Sequence, residues 1–240
     1  EVVDRAKGVT LQALSSALIG HTRAEAKQAL AMMQEEEAGG GGAATCLVTG
    51  ARLTKAGAAL VNAETIFAGG KWDTFRMLTH PGCAILPAAL VAAETTGASG
   101  KLFLTGVAAG YEVMERMAAD FIPTVMSRGF HSGPVFGIFG AAIAAAKIMN
   151  LDANTIHGAI AQCVNLASGN LEGIRSGGRA LREGGAVRLV EGSHAHDLEE
   201  RNCEDHVENC AGERAREDAR AVEVREGGRE DVGNHDAASA

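Results

Sequence analysis

The stretch Phe130-His131-Ser132-Gly133-Pro134-Val135-Phe136-Gly137-Ile138-Phe139-Gly140-Ala141-Ala142-Ile143-Ala144-Ala145-Ala146 decides how the whole chain is read. From Gly129 to Ala146 it runs 18 residues without Lys, Arg, Asp or Glu. That is long enough to suggest a membrane span. His131, Ser132, Pro134 and the repeated small residues argue instead for a loop leading into a buried helix that reaches about Met149. Gly133, Gly137 and Gly140 fall on adjacent turns, where missing side chains let a neighbouring backbone come close. Such a helix needs other helices packed tightly around it.

The rest of the chain fits that requirement. Hydrophobic residues make up 46% of the 240, but aromatics only 4%, so Ala and Gly supply much of the apolar content. The fold class expected is all-α: a multi-helical bundle of small-residue-rich helices. A short β-hairpin is expected near 43–53, where Ala44 to Val48 and Arg52-Leu53 flank Thr49-Gly50-Ala51. Residues 2–19 form the first helix. Thr22 caps a second, Arg23 to Ala38, with Glu25 in capping-box register. Gly39 to Gly42 form a flexible loop, lacking the Lys-Ser/Thr of a phosphate loop. Ala56 to Phe67 is helical and stops at Gly69-Gly70. Cys83 to Thr96 follows, with Pro87 in its first turn. Ser99 caps Lys101 to Phe121, which Pro123 ends, and Asp152 caps Ala153 to Ala167. Ser168 to Gly185 is irregular.

From Leu189 the composition changes. Residues 191–240 hold 6 Arg, no Lys and 15 Asp+Glu, whereas residues 1–190 hold 16 Lys+Arg and 15 Asp+Glu. The net charge of −8 therefore sits in the tail. With so few large apolar residues, 189–240 is expected to be disordered or poorly packed, and its composition suggests a frameshift near 189. The near-neutral body offers no basic face for nucleic acid. Five cysteines without C-x-x-C spacing and without a signal segment read as reduced thiols in a cytoplasmic protein, not as a disulfide framework or metal site. The first residue is Glu, so the chain is read as a fragment, incomplete at its start.

Polar chemistry concentrates in Lys71-Trp72-Asp73-Thr74-Phe75-Arg76-Met77-Leu78-Thr79-His80-Pro81-Gly82. His80 precedes a proline, which pushes its backbone away from helix and holds it at the mouth of the next helix. His131 repeats the arrangement. A His at such a junction is either a cap or a general acid–base facing an anion. Asp73 is either an N-cap or, with Thr74, an orienting group. Lys71, Arg76, Arg128, Arg175, Arg179, Arg182 and Arg188 lie in loops of the same kind, either as solvated surface or as partners for substrate carboxylates.

Several motifs together resemble the MmgE/PrpD family, the 2-methylcitrate dehydratase-like group that also holds cis-aconitate decarboxylases and an iminodisuccinate epimerase. They are Thr79-His80-Pro81-Gly82 with Leu86-Pro87-Ala88-Ala89-Leu90, then Gly110-Tyr111-Glu112-Val113, Gly129-Phe130-His131, Gly137-x-x-Gly140-Ala141-Ala142 and Ser168-Gly169-Asn170-Leu171-Glu172. The resemblance covers 1–188. It implies a large helical domain, with the smaller α+β domain of complete members absent from this chain. It also implies homodimers and catalysis without metal or other cofactor. By position it implies active-site roles for Asp73, Thr74, His80 and His131 and sets Arg179 where the family's active-site Lys stands; Lys71, Arg179 and Arg182 are the bases expected on substrate carboxylates. The function expected is that of a lyase-type enzyme acting on a small di- or tricarboxylate: a dehydratase, decarboxylase or epimerase. The alternatives are an inactive truncated fragment and a carboxylate-binding or dimerising domain without turnover. The sequence departs from the family pattern at Gly70, where decarboxylase-like members carry Asp. It departs again at Arg179 and Arg182, where the pattern has Lys and His.

Overall fold

The computed structural model describes residues 1–37, 42–77 and 79–172. The chain divides into two units, Glu1–Leu189 and Val190–Ala240, and every described residue belongs to the first. Its described elements are helices apart from one small hairpin. In order they are α1 (Val2–Gly20), α2 (Ala24–Glu36), β1 (Ala44–Thr45), β2 (Arg52–Leu53), α3 (Lys55–Ala68), α4 (Gly82–Thr96), α5 (Gly100–Ala118), α6 (Ile122–Ser127), α7 (Ser132–Ile148) and α8 (Ala153–Leu166).

Gly137 and Gly140 do what their spacing predicts. The α5–α7 contact is the most extensive between any two helices, followed by α4–α7. At its centre a Cβ on Gly110 would lie 2.6 Å from the Gly140 carbonyl oxygen, and one on Gly140 would lie 2.6 Å from Ile85 Cδ1. A Cβ on Gly137 would come within 3.0 Å of Ala84. Backbones this close exclude any side chain larger than hydrogen at the crossing. Around it Ile85, Leu86, Val107, Met114, Phe136, Ala144 and Ile148 form the main core. A second, smaller cluster of Cys46, Leu53, Ala58, Val61 and Val91 lies under the hairpin.

β1 and β2 pair antiparallel, with Ala44 opposite Leu53 and Thr45 opposite Arg52. Two strands of two residues cannot stand alone, and α3 and α4 hold them. The buried Asn62 side chain accepts from Leu47 N–H at 2.6 Å and donates to Thr45 C=O at 3.0 Å. Glu94, near the end of α4, accepts from Thr45 N–H at 2.8 Å and from Arg52 at 2.6 Å. Its bonds from Thr45 hold its carboxyl below the usual range.

Ser99 and Asp152 cap α5 and α8 as expected, accepting from Leu102 N–H and from Asn154 and Thr155 N–H. Four local readings are corrected. Thr22 does not cap α2: its hydroxyl donates to Ile19 C=O at 2.9 Å, and Arg23 occupies the cap position. α2 starts at Ala24, one residue later than expected, so Thr22 falls one residue short of the cap position. Pro87 stands six residues into α4, not in its first turn, so the Cys83 carbonyl has no helical N–H partner there. Pro123 does not merely end a helix; α5 stops at Ala118 and Pro123 lies in the first turn of α6. Part of the stretch expected to be irregular is paired: Phe130 and Asn170 form an antiparallel bridge, flanked by His131 N–H to Gly169 C=O at 2.9 Å and Leu171 N–H to Gly129 C=O at 2.7 Å. Most of the tetraglycine loop, and everything after Glu172, lies outside the described residues.

α1 and α3 meet through Gly20 and Gly69; a Cβ on Gly69 would lie 1.9 Å from Ser16 C=O. The buried Ser16 hydroxyl donates to Ile66 C=O at 2.7 Å and accepts from Lys71 N–H at 3.1 Å, tying α1 to the start of the segment after α3. Elsewhere on α3, Glu64 carries a buried Oε1 without a hydrogen-bond partner. Burial first, then the charge of Glu25, push its carboxyl up to about 7. Cys46, Cys83 and Cys163 are free thiols. No described helix is long and apolar enough to cross a membrane.

Candidate active site

The segment between α3 and α4 is ordered by its own side chains. Gly70 turns it with φ of 69°. Trp72 stacks on Phe67 at 4.7 Å between centroids and donates its indole N–H to Phe67 C=O at 2.8 Å. The His80 ring lies 4.6 Å from Trp72. Phe75 N–H bonds Thr79 C=O at 2.9 Å, and Arg76 inside this turn adopts φ of 51°.

His80 Nδ1 lies 2.8 Å from the main-chain oxygen of Asp73 and 3.4 Å from Thr74 Oγ1. A carbonyl only accepts, so the hydrogen-bond network assigns the proton to Nδ1. In the neutral ring Nε2 then carries the lone pair. This is how a general base is oriented: one ring nitrogen is anchored and the other is left basic.

The Asp73 carboxylate faces different partners. Both of its oxygens accept from Gly82 N–H at 3.1 Å, and Oδ2 also accepts from Tyr111 O–H at 2.6 Å. It therefore caps the first turn of α4, where the free N–H groups favour an anion. Tyr111, on α5, is legible in the sequence only as part of a family motif; nothing in its local surroundings marks it as part of a site. Burial first, then the Asp73 charge, raise its hydroxyl above the usual range, so it stays a neutral donor. The same two causes, with Glu64 added, raise the Cys83 thiol.

His131 is the N-cap residue of α7, with extended backbone at φ −86° and ψ 118°, and is half-buried. The residue after it, Ser132, is fully buried, as is Thr79, the residue before His80. Their hydroxyls lie 2.7 Å apart, and both lie within reach of Met77 C=O, at 2.9 and 3.2 Å, so one of the two protons joins the hydroxyls and the other goes to the carbonyl. The two histidine-bearing junctions are thus stitched together one residue away from each imidazole. Asp73, Thr74, His80 and His131 belong to this joined region. The Lys71 side chain is exposed at its start. Arg179 and Arg182, with Arg175 and Arg188, lie outside the described residues.

A cavity of about 380 Å³ opens between α1 and α5, with Asp73, Thr74, Tyr111, Glu112, Glu115 and Arg5 in its wall. Burial, then Asp73 and Glu112, raise the Glu115 carboxyl. Three carboxylates against one guanidinium make this cavity a poor host for an anion, and neither histidine lines it. Among the described residues no group of three His, Cys, Asp or Glu side chains is placed to hold a metal ion.

Residues 1–188 match the family model for the MmgE/PrpD N-terminal domain. The chain belongs to the MmgE/PrpD family. It is 30% identical over 181 residues to the cis-aconitate decarboxylase-like protein oryM of Aspergillus oryzae (strain ATCC 42149 / RIB 40), a match covering 70% of this chain and 36% of that relative. Gly70, where the resemblance leads to an expectation of Asp in decarboxylase-like members, can be judged by its backbone. Its φ of 69° is left-handed, yet a Cβ there would meet nothing within 4 Å. Asp is among the few residues that tolerate this conformation, so the backbone here accommodates either residue.

Proposed function

We propose that the chain is the helical part of a lyase-type enzyme that abstracts a proton α to a carboxylate of a small di- or tricarboxylate. The observation that carries this reading is the 2.8 Å contact between His80 Nδ1 and Asp73 C=O. It leaves Nε2 as a base held at a loop-to-helix junction. Membership of a family of dehydratase- and decarboxylase-like proteins supports the same class of chemistry. In this reading one of His80 and His131 removes the proton, and the other assists the leaving group or returns a proton. Thr74 hydrogen-bonds substrate. Lys71, Arg179 and Arg182 neutralise its carboxylates and the enolate-like charge that develops. The working unit is a homodimer.

The test is hydrogen–deuterium exchange at the α-carbon of citrate-like substrates in D₂O. It is run on this chain and on a version extended to the length of its relative. Exchange by the extended enzyme, strongly reduced in His80→Ala, is the expected result; turnover left untouched by His80→Ala would sink the assignment. A second reading, carboxylate binding without turnover, is favoured by Arg179 and Arg182 in place of Lys and His, because Arg stays protonated and cannot relay a proton. Saturable tricarboxylate binding with no exchange by either protein would select it.

A further inference from the structure

Asp73 grips the active-site segment from both sides of Pro81. Its main-chain oxygen holds the His80 ring at 2.8 Å, and its carboxylate holds Gly82 N–H at 3.1 Å. What anchors Asp73 itself is Tyr111 O–H at 2.6 Å, the one contact of its carboxylate that comes from α5. Gly82 makes this closure possible, since a Cβ there would stand 2.8 Å from Asp73 Oδ1 and 2.9 Å from the Tyr111 hydroxyl.

We propose that Tyr111 is a positioning residue for His80, acting through Asp73. The hydroxyl fixes the Asp73 side chain against the first turn of α4, and this fixes the main-chain oxygen that accepts from His80 Nδ1. The proton is thereby confined to Nδ1, and Nε2 is kept basic and aimed. Loss of the hydroxyl leaves Asp73 with Gly82 alone and frees the residue to rotate. The Nδ1–H bond to Asp73 C=O then weakens and the ring distributes between tautomers. A purely structural Tyr would do none of this; its replacement by Phe would keep the packing of the ring against the main core and leave the imidazole as it was.

The proposal rests on the reading of His80 as a base, and the experiment separates the two. Long-range ¹H–¹⁵N spectra of this chain, labelled at histidine and recorded at a pH where imidazoles are neutral, report the His80 tautomer directly. The signal is assigned by its loss in His80→Gln. The wild type is expected to show Nδ1–H alone, and Tyr111→Phe a mixture of both tautomers at unchanged helix content. An unchanged His80 signature in Tyr111→Phe would overturn the proposal. Gly82→Ala reads the same signature with every polar group retained; it stands in if the phenylalanine variant does not fold. Turnover by the extended enzyme then gives the second readout. Tyr111→Phe should lower kcat on the order of 10-fold with KM nearly unchanged, as misplacing a base does. A tautomer shift in a protein that exchanges no substrate proton would keep the positioning role and discard the proposed chemistry.

Discussion

The α5–α7 crossing and the described residues between Gly70 and Gly82 are held in place by opposite means. At the crossing, the hold comes from removing side chains: Gly110 and Gly140 let two backbones meet, and apolar neighbours close around them. In the segment it comes from occupying polar atoms: Trp72, Asp73, Thr79 and His80 each make a named hydrogen bond within a few residues or to a helix end. The first arrangement fails when an atom is added, the second when one is taken away. Only the second leaves reactive groups at the surface of the fold.

That contrast can be broken most directly at His80. His80→Gln should lower proton exchange by the extended enzyme by about 10²–10⁴-fold. It should move the denaturation midpoint little, since a half-buried ring with one good hydrogen bond contributes about 1 kcal/mol. A large stability loss there would show that the segment is core and not site. Gly110→Val should behave in the reverse sense. Its Cβ would sit 2.6 Å from the Gly140 carbonyl, so urea unfolding should show a loss of about 3 kcal/mol. A neutral result would mean that the helices separate easily.

Glu64 sharpens the comparison, because it places an unpartnered polar atom inside a helical interface. Its carboxyl is raised from 4.5 to about 7, so the folded state binds the proton more tightly than the unfolded chain does. Stability from this group is therefore full at low pH and is lost as pH rises from about 4.5 to 7. Glu64→Gln, which mimics the protonated acid, should be more stable than wild type at pH 8 by on the order of 3 kcal/mol and equal to it near pH 4. A pH-independent difference between the two proteins would remove burial as the cause. The smallest effect is expected at Gly70→Asp, where space is open and only the left-handed φ resists: about 1 kcal/mol of stability. A loss several times larger would mean that the segment depends on glycine at 70 far more than its open surroundings suggest.

The helices are legible in the sequence because small residues at helical spacing have few other uses. The caps Ser99 and Asp152 are legible because their oxygens meet N–H groups two or three residues on. Thr22 misleads because a hydroxyl at a helix junction can bond backwards as easily as forwards, and sequence does not choose. Pro123 reads as a stop because proline both follows one helix and begins another. Within the site, Asp73 and His80 stand out by their context. Tyr111 does not, because it lies 38 residues from the carboxylate it serves and only the packing of α5 against α4 brings the two together. Asn62 is silent in the sequence for the same reason: its partners Thr45 and Leu47 belong to another element.

The Thr79–Ser132 hydroxyl contact has a consequence for how this scaffold can change. It ties the residue before His80 to the residue after His131 through two fully buried side chains. Replacing either hydroxyl by a methyl group leaves both histidines, the helix crossing and the Asp73 anchor in place, while α7 loses its registration mark against the segment before α4. The placement of the two junctions relative to each other thus depends on one buried pair of hydroxyls. A single exchange at 79 or 132 would therefore shift one histidine-bearing junction against the other without altering either imidazole.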